Sequence, residues 1–219
     1  MTAIKKQLFE QLALIGHSLG SPQRIEILDY LAQAERSVDE LSQLVDLSVA
    51  NTSRHLQILK QNGLVTMRKE GKTRRYTLAG DDVVLLMQGL RNTATTHLAE
   101  VNRLMSQANN KTAENQVISS QELVLRLQDK DILILDVRPN KEFEQGHIKG
   151  AINVQPDDIE IHLEDLDRTK TVVAYCRGPY CLYSYQMVHA LNEKGIEALR
   201  LEDGFPEWKA AELPFEQTQ

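Results

Sequence analysis

"TVVAYCRGPYCLYSYQM", Thr171 to Met187, opens with a short apolar run, turns at Gly178-Pro179 and continues into a segment of helical character. Strand, loop and helix therefore follow one another directly. Both cysteines of the 219-residue chain, Cys176 and Cys181, stand in that loop. Two cysteines are too few for a disulfide framework, and a close pair in a reducing compartment points to redox, sulfur or metal chemistry. The same alternation extends outward: "DILILDV" and "IEALRL" are further runs of buried-strand type, with helix candidates at "SSQELVLRLQ", at 157–166, at "LYSYQMVHALNEKG" and at "PEWKAAE". That order predicts an α/β domain, a parallel sheet with helices on both faces. Such sheets carry reactive groups where strand carboxyl ends meet helix N-termini, and Cys176 has that place. Backbone N–H groups and the positive helix end favour thiolate there, Arg177 adds a cation, and the Gly-Pro turn predicts an exposed thiol.

The N-terminal half has a different grammar. Leu8, Leu12, Ile15 and Leu19 recur at helical spacing, Ser21-Pro22 marks a new start, and Ile25, Leu28 and Leu31 follow. A short helix over "VDELSQLVDL" precedes a second, "VANTSRHLQILKQNG", with Ser48 as N-cap and Asn62-Gly63 as its close. "LVTMRKEGKTRRYTL" alternates around Glu70-Gly71-Lys72 as a hairpin with a basic tip. Helix, helix, hairpin is a mainly α winged helix-turn-helix. Charge agrees with the division: the chain's net −6 splits into +2 over residues 1–108 and −8 over 109–219. Positive charge is densest from Arg54 to Arg75, as a nucleic-acid face or a solvated surface would be.

Through "SPQRIEILDYL", "VDELSQLV", "NTSRHLQILKQNGLV" and "RKEGKTRRYTL" the chain resembles the ArsR family of bacterial repressors. The resemblance implies that the second helix enters the major groove while the wing tracks the backbone. Asn51, Thr52, Ser53, Arg54 and His55 would then lie near base edges or phosphates, with Lys69, Lys72, Arg74 and Arg75 supplying the salt-dependent, sequence-blind part of binding. The segment "DDVVLLMQGLRNTATTHLAEVNRLMSQ" reads as one long helix with Val84, Met87, Leu90, Leu98, Val101, Leu104 and Met105 on an apolar stripe. In this family such a helix joins two copies, so the expected partner is a double-stranded, palindromic operator bound by a homodimer. Many relatives sense metals, but no thiol lies near Val38 to Leu41, and Val84 and Leu86 stand where partners for His97 and Glu100 belong. Neither a metal site nor a cofactor is expected there.

"LDVRPNKEFEQGHIKGAINV" (Leu135 to Val154) and "LEDGFPEWKAAELP" (Leu201 to Pro214) resemble the rhodanese domain. By that resemblance Cys176 is the sulfur-accepting nucleophile, its persulfide cradled by the loop of Arg177, Gly178, Pro179, Tyr180 and Cys181. Asp136 and Arg138 hold strand and loop in place, and His147 is structural. One departure stands out: rhodaneses acting on thiosulfate carry an arginine five residues after the nucleophile, and Cys181 is there instead. Cys181 is either a resolving thiol that attacks a modified Cys176 or a small residue capping the next helix.

The sequence predicts two domains, 1–108 for DNA binding and dimerisation and 118–219 for sulfur chemistry, joined by a linker at 109–117. The N-terminal apolar stretch, interrupted by Gln7, Glu10, Gln11 and His17, is neither signal peptide nor span, which predicts a cytoplasmic protein without membrane contact. The expected function is a repressor that senses or transfers reactive sulfur from a donor such as polysulfide or thiosulfate. Its alternatives are an active sulfurtransferase whose DNA-binding domain regulates its own expression, and an arsenite or soft-metal sensor using both thiols.

Overall fold

A computed structural model describes residues 2–108, 116–128, 131–155 and 169–218. Most of the expected linker and the helix expected over 157–166 lie outside the described residues. The chain forms two compact units, Met1–Val84 and Leu85–Gln219. Both expected fold classes are present.

In the first unit α1 (Ala3–Leu19) and α2 (Pro22–Gln33) precede the two-residue β1 (Arg36–Ser37). Then come α3 (Val38–Leu44), α4 (Val49–Gln61), and a hairpin of β2 (Val65–Glu70) and β3 (Thr73–Leu78), with β1 added to β3 in an antiparallel sheet. Local chemistry sets the ends. Pro22 sits in the first turn of α2, where its missing N–H costs nothing. Ser37 and Glu40 cap α3 reciprocally, and the Ser48 hydroxyl accepts from the Asn51 N–H to begin α4. Gly63 and Gly71 take positive φ where α4 ends and the hairpin turns. Ile27, Leu28, Leu31, Leu41, Leu56, Leu59 and Tyr76 fill the core. In α2 it is Ile27 rather than the expected Ile25 that is fully buried, beside Arg24, whose guanidinium donates at 2.6 Å to the carbonyls of both His17 and Ser18 at the end of α1.

The expected long helix is two, α5 (Asp81–His97) and α6 (Ala99–Ala108), divided at Leu98. Thr93 and Thr96 turn their hydroxyls onto the carbonyls four residues back, and Asn102 donates to the Thr95 carbonyl across the break. A β-branched run that competes for its own backbone is a poor helix interior.

The second unit is built on five parallel strands in the order β4 (Val117–Ile118), β9 (Ala198–Leu201), β8 (Thr171–Tyr175), β5 (Ile132–Asp136), β7 (Ile152–Asn153). The period-two alternation of β8 sorts its side chains. Val172, Ala174 and Cys176 join Met187, Val188 and Leu191 of α9 (Leu182–Glu193) on one face. Val173 and Tyr175 join Leu123 of α7 (Ser120–Arg126) and Phe205 and Trp208 of α10 (Phe205–Ala210) on the other. The short α8 (Asn140–Gln145) leads into β6 (His147–Ile148), which pairs with β10 (Phe215–Glu216) and ties the C-terminal segment down.

Candidate functional site

Cys176 follows the last residue of β8 and Cys181 is the N-cap of α9, so the loop between them spans the strand end and the helix start. The two are joined by a disulfide, with Cα atoms 6.1 Å apart. Inside the loop the Cys181 N–H donates to the Gly178 carbonyl at 3.1 Å, and Tyr185 of α9 donates its hydroxyl to the Pro179 carbonyl at 3.2 Å. The thiol was expected to be exposed, and this is corrected: Cys176 is buried. Its side chain continues the inward set of Val172 and Ala174, so burial comes with the strand's phase, and it is Tyr180 that faces solvent. Arg177 is gripped by Glu142, at 2.7 and 3.0 Å, and Glu142 is wholly buried. A carboxylate thus matches the loop's one cation.

Beneath the loop lies a buried polar network. Arg138 donates to Asp136 at 2.7 Å and to the Gly146 carbonyl at 2.6 Å, and neither charged side chain is exposed. Tyr175, one residue before the cysteine, donates to the same carboxylate at 2.5 Å and accepts from the Ile148 N–H at 3.0 Å. Burial opposes the Arg138 charge, but Asp136 more than offsets it and holds the arginine above its usual range. Burial and then the Asp136 charge push Tyr175 well up, so it stays a neutral donor. His147 stacks on Phe143 and contacts the Phe143 carbonyl through Nδ1.

In the first unit, α4 presents Asn51 and Arg54 to solvent, with Ser53 and His55 half-buried. The placement expected for Thr52 is corrected: it is fully buried, its hydroxyl donating to the Ser48 carbonyl at 3.1 Å, and it has no surface exposed to solvent. Burial, then the charges of Arg24 and Arg54, lower the His55 pKa and disfavour its charged form. On the wing, Lys69, Lys72 and Arg74 are exposed. Arg75 instead contacts Glu70, Glu35 and Glu40, while Arg68 donates through Nε and Nη2 to the two carboxylate oxygens of Glu35 and through Nη1 to Glu70. Three carboxylates neutralise those two arginines.

Against this geometry the comparisons are specific. The rhodanese-like domain model matches residues 119–211, and the model "bacterial regulatory protein, arsR family" matches residues 21–67. The HTH-type transcriptional regulator Rv0324 of Mycobacterium tuberculosis is 36% identical over 213 residues, covering 97% of this chain and 93% of that protein. The chain belongs to the ArsR-type regulators fused to a rhodanese-like domain. A sulfurtransferase of Allochromatium vinosum is 33% identical over 99 residues, covering 44% of this chain and 91% of its own length. The homodimeric winged helix-turn-helix DNA-binding domain Mb0332 of Mycobacterium bovis is 37% identical over 45% of this chain and 91% of that structure, with a TM-score of 0.42.

Three participants in the rhodanese-like site carried no role in the sequence reading. Glu142 sits in the quoted motif, but only folding brings it to Arg177. Tyr175 reads as one more apolar strand residue. Gly204 gave no signal: its α carbon lies so near the cysteine loop that an added Cβ would stand 2.4 Å from the Arg177 carbonyl carbon and oxygen, both backbone. Gly204→Ala should therefore displace the loop and cost about 1–3 kcal/mol. Urea unfolding of the full chain checks this, and a loss below about 0.5 kcal/mol would show that the close approach relaxes freely.

Among the described residues no helix is long and apolar enough to cross a membrane, and no group of three or more His, Cys, Asp or Glu is placed to hold a metal.

Proposed function

We propose that this protein is a homodimeric, DNA-binding transcriptional repressor whose rhodanese-like domain reduces sulfane sulfur to sulfide while its own thiols are oxidised to a Cys176–Cys181 bridge. The observation that carries the reading is the disulfide itself, formed where the family places its sulfur-accepting cysteine. In the reduced state the Cys176 thiolate attacks the sulfane sulfur of a polysulfide. A new S–S bond forms, and the shortened polysulfide leaves with the electron pair of the bond broken. The Cys181 thiolate then attacks Cys176 Sγ of the persulfide and expels hydrosulfide. The dithiol has been oxidised by two electrons and the sulfane sulfur reduced to sulfide. In the bridged product Cys176 is closed to further reagent.

This chemistry suits a sensor better than a thiosulfate enzyme. A sulfurtransferase must release its nucleophile at each cycle, whereas a resolving thiol five residues away ends the cycle after one. Thiosulfate is a dianion, and the loop's Arg177 is already matched by Glu142. The wing supports the DNA partner. Lys69 and Arg74 lie directly opposite in the hairpin register, where like charges repel until a phosphate shares them. Exposed Leu8, Phe9 and Leu12 on α1 and Leu86 and Leu90 on α5 are apolar surfaces suited to a second copy.

Two experiments test the reading. With excess polysulfide, the purified chain should release about one sulfide per protomer and stop; sustained turnover would favour the sulfurtransferase alternative. Arg54→Ala and Lys72→Ala should each lower the slope of log affinity against log salt by roughly 1 per protomer. Unchanged slopes would remove these residues from the DNA face.

A further inference from the structure

Three polar side chains of α5 follow one another at helical spacing, and each leads to the rhodanese-like loops. Gln88 donates to Asp203 at 3.1 Å. Arg91 forms an ion pair with the buried Glu207, whose carboxylate also accepts the Gly204 N–H at 3.1 Å. Thr95 shares a hydrogen bond of 3.1 Å with the hydroxyl of Tyr180, inside the cysteine loop. Gly204 in turn lies against the backbone of Arg177 and Gly178, and the Phe205 N–H donates to the Cys176 carbonyl at 3.2 Å. At about 100° per residue, Gln88, Arg91 and Thr95 share one stripe of the helix, and Leu86 and Leu90 lie roughly opposite.

We infer that the stripe Gln88, Arg91 and Thr95 makes α5 the element that reads the state of the cysteine loop, with Tyr180 and the Gly204–Glu207 turn as its two contacts. This rests on the proposed sulfur chemistry for its physiological trigger, although the coupling itself needs only the bridge to open. Reduction by a dithiol adds two electrons and two protons to the cysteine pair, and the reductant leaves as its own disulfide. The sulfurs then separate to van der Waals contact, which residues 177–180 must accommodate. Tyr180 and the loop backbone against Gly204 move with them, and both are tied to α5. The second tie is an ion pair with a buried carboxylate: burial raises the Glu207 pKa, and the Arg91 charge opposes that. The opposite stripe of α5 carries the exposed Leu86 and Leu90, so a shift of this helix is felt at the surface suited to a second copy.

The test is hydrogen–deuterium exchange of the full-length chain, bridged against dithiol-reduced, in the wild type and in a Thr95→Val/Arg91→Gln variant. The expected result is a change of about threefold or more in exchange of residues 86–97 on reduction. In the variant that change disappears, while residues 176–183 still respond. A wild type in which 176–183 respond and 86–97 do not would overturn the inference, as would an α5 response of equal size in the variant. If α5 responds to the bridge but polysulfide leaves DNA affinity unchanged, the sensor reading fails and the coupling stands.

Discussion

Cys176→Ser should take up no sulfane sulfur, whereas Cys181→Ser should hold a persulfide on Cys176 that survives until a thiol reductant is added. The two variants differ because the cysteines stand in different places. Cys176 ends the central strand β8, in the phase that packs against α9. Cys181 caps α9 and is half-buried, which suits the thiol that closes the bridge. Intact-mass measurement after polysulfide treatment should show no added sulfur on the first variant, one retained sulfur on the second, and in the wild type only the loss of two hydrogens as the bridge forms. Equal sulfur on both variants would mean that either thiol serves as acceptor and would remove the distinction between nucleophile and resolving residue. The effect is all-or-none because serine is not a nucleophile toward sulfane sulfur at neutral pH.

Arg138→Met should unfold the rhodanese-like domain under mild conditions. The substitution leaves Asp136 buried without its cation, and breaking a buried pair in this way costs about 3–5 kcal/mol. A domain with roughly 5–15 kcal/mol in total has little room for that. The cost also reaches the site, since Tyr175 donates to the orphaned carboxylate one residue before Cys176. Asp136→Leu combined with Arg138→Met removes both charges and should recover more than half of the loss. Urea denaturation followed by circular dichroism measures both. A loss under about 1 kcal/mol for the single variant would show that water or another group satisfies Asp136.

Much of this was legible because it is periodic or local. The alternation of "TVVAY" and the helical spacing after Cys181 specify strand, loop and helix. Ser48, Pro22 and Gly71 mark element ends through chemistry confined to a few neighbouring residues. Tertiary pairing was not legible. Arg75 reads as one more wing cation until β1 and α3 bring Glu35 and Glu40 beside it. Thr52 lies in a polar stretch, yet helix phase turns it inward with Leu56 and Leu59. The division of the long helix at Leu98 was hidden by an apolar stripe that continues across it, because the periodicity of apolar residues is blind to the threonine hydroxyls that compete for the backbone carbonyls. Gly204 is the extreme case, since its constraint comes from the backbone of Arg177, 27 residues earlier in the chain.

The central claim is that sulfur chemistry at Cys176 changes DNA binding. Fluorescence anisotropy with DNA from upstream of the protein's own gene, comparing reduced and polysulfide-treated full-length chain at one salt concentration, tests it most directly. The account predicts an affinity change of about tenfold or more, ~1.4 kcal/mol, that is reversed by dithiol and absent in Cys176→Ser. Equal affinities for the two forms of the wild type, with mass measurement showing the bridge fully formed, would contradict it.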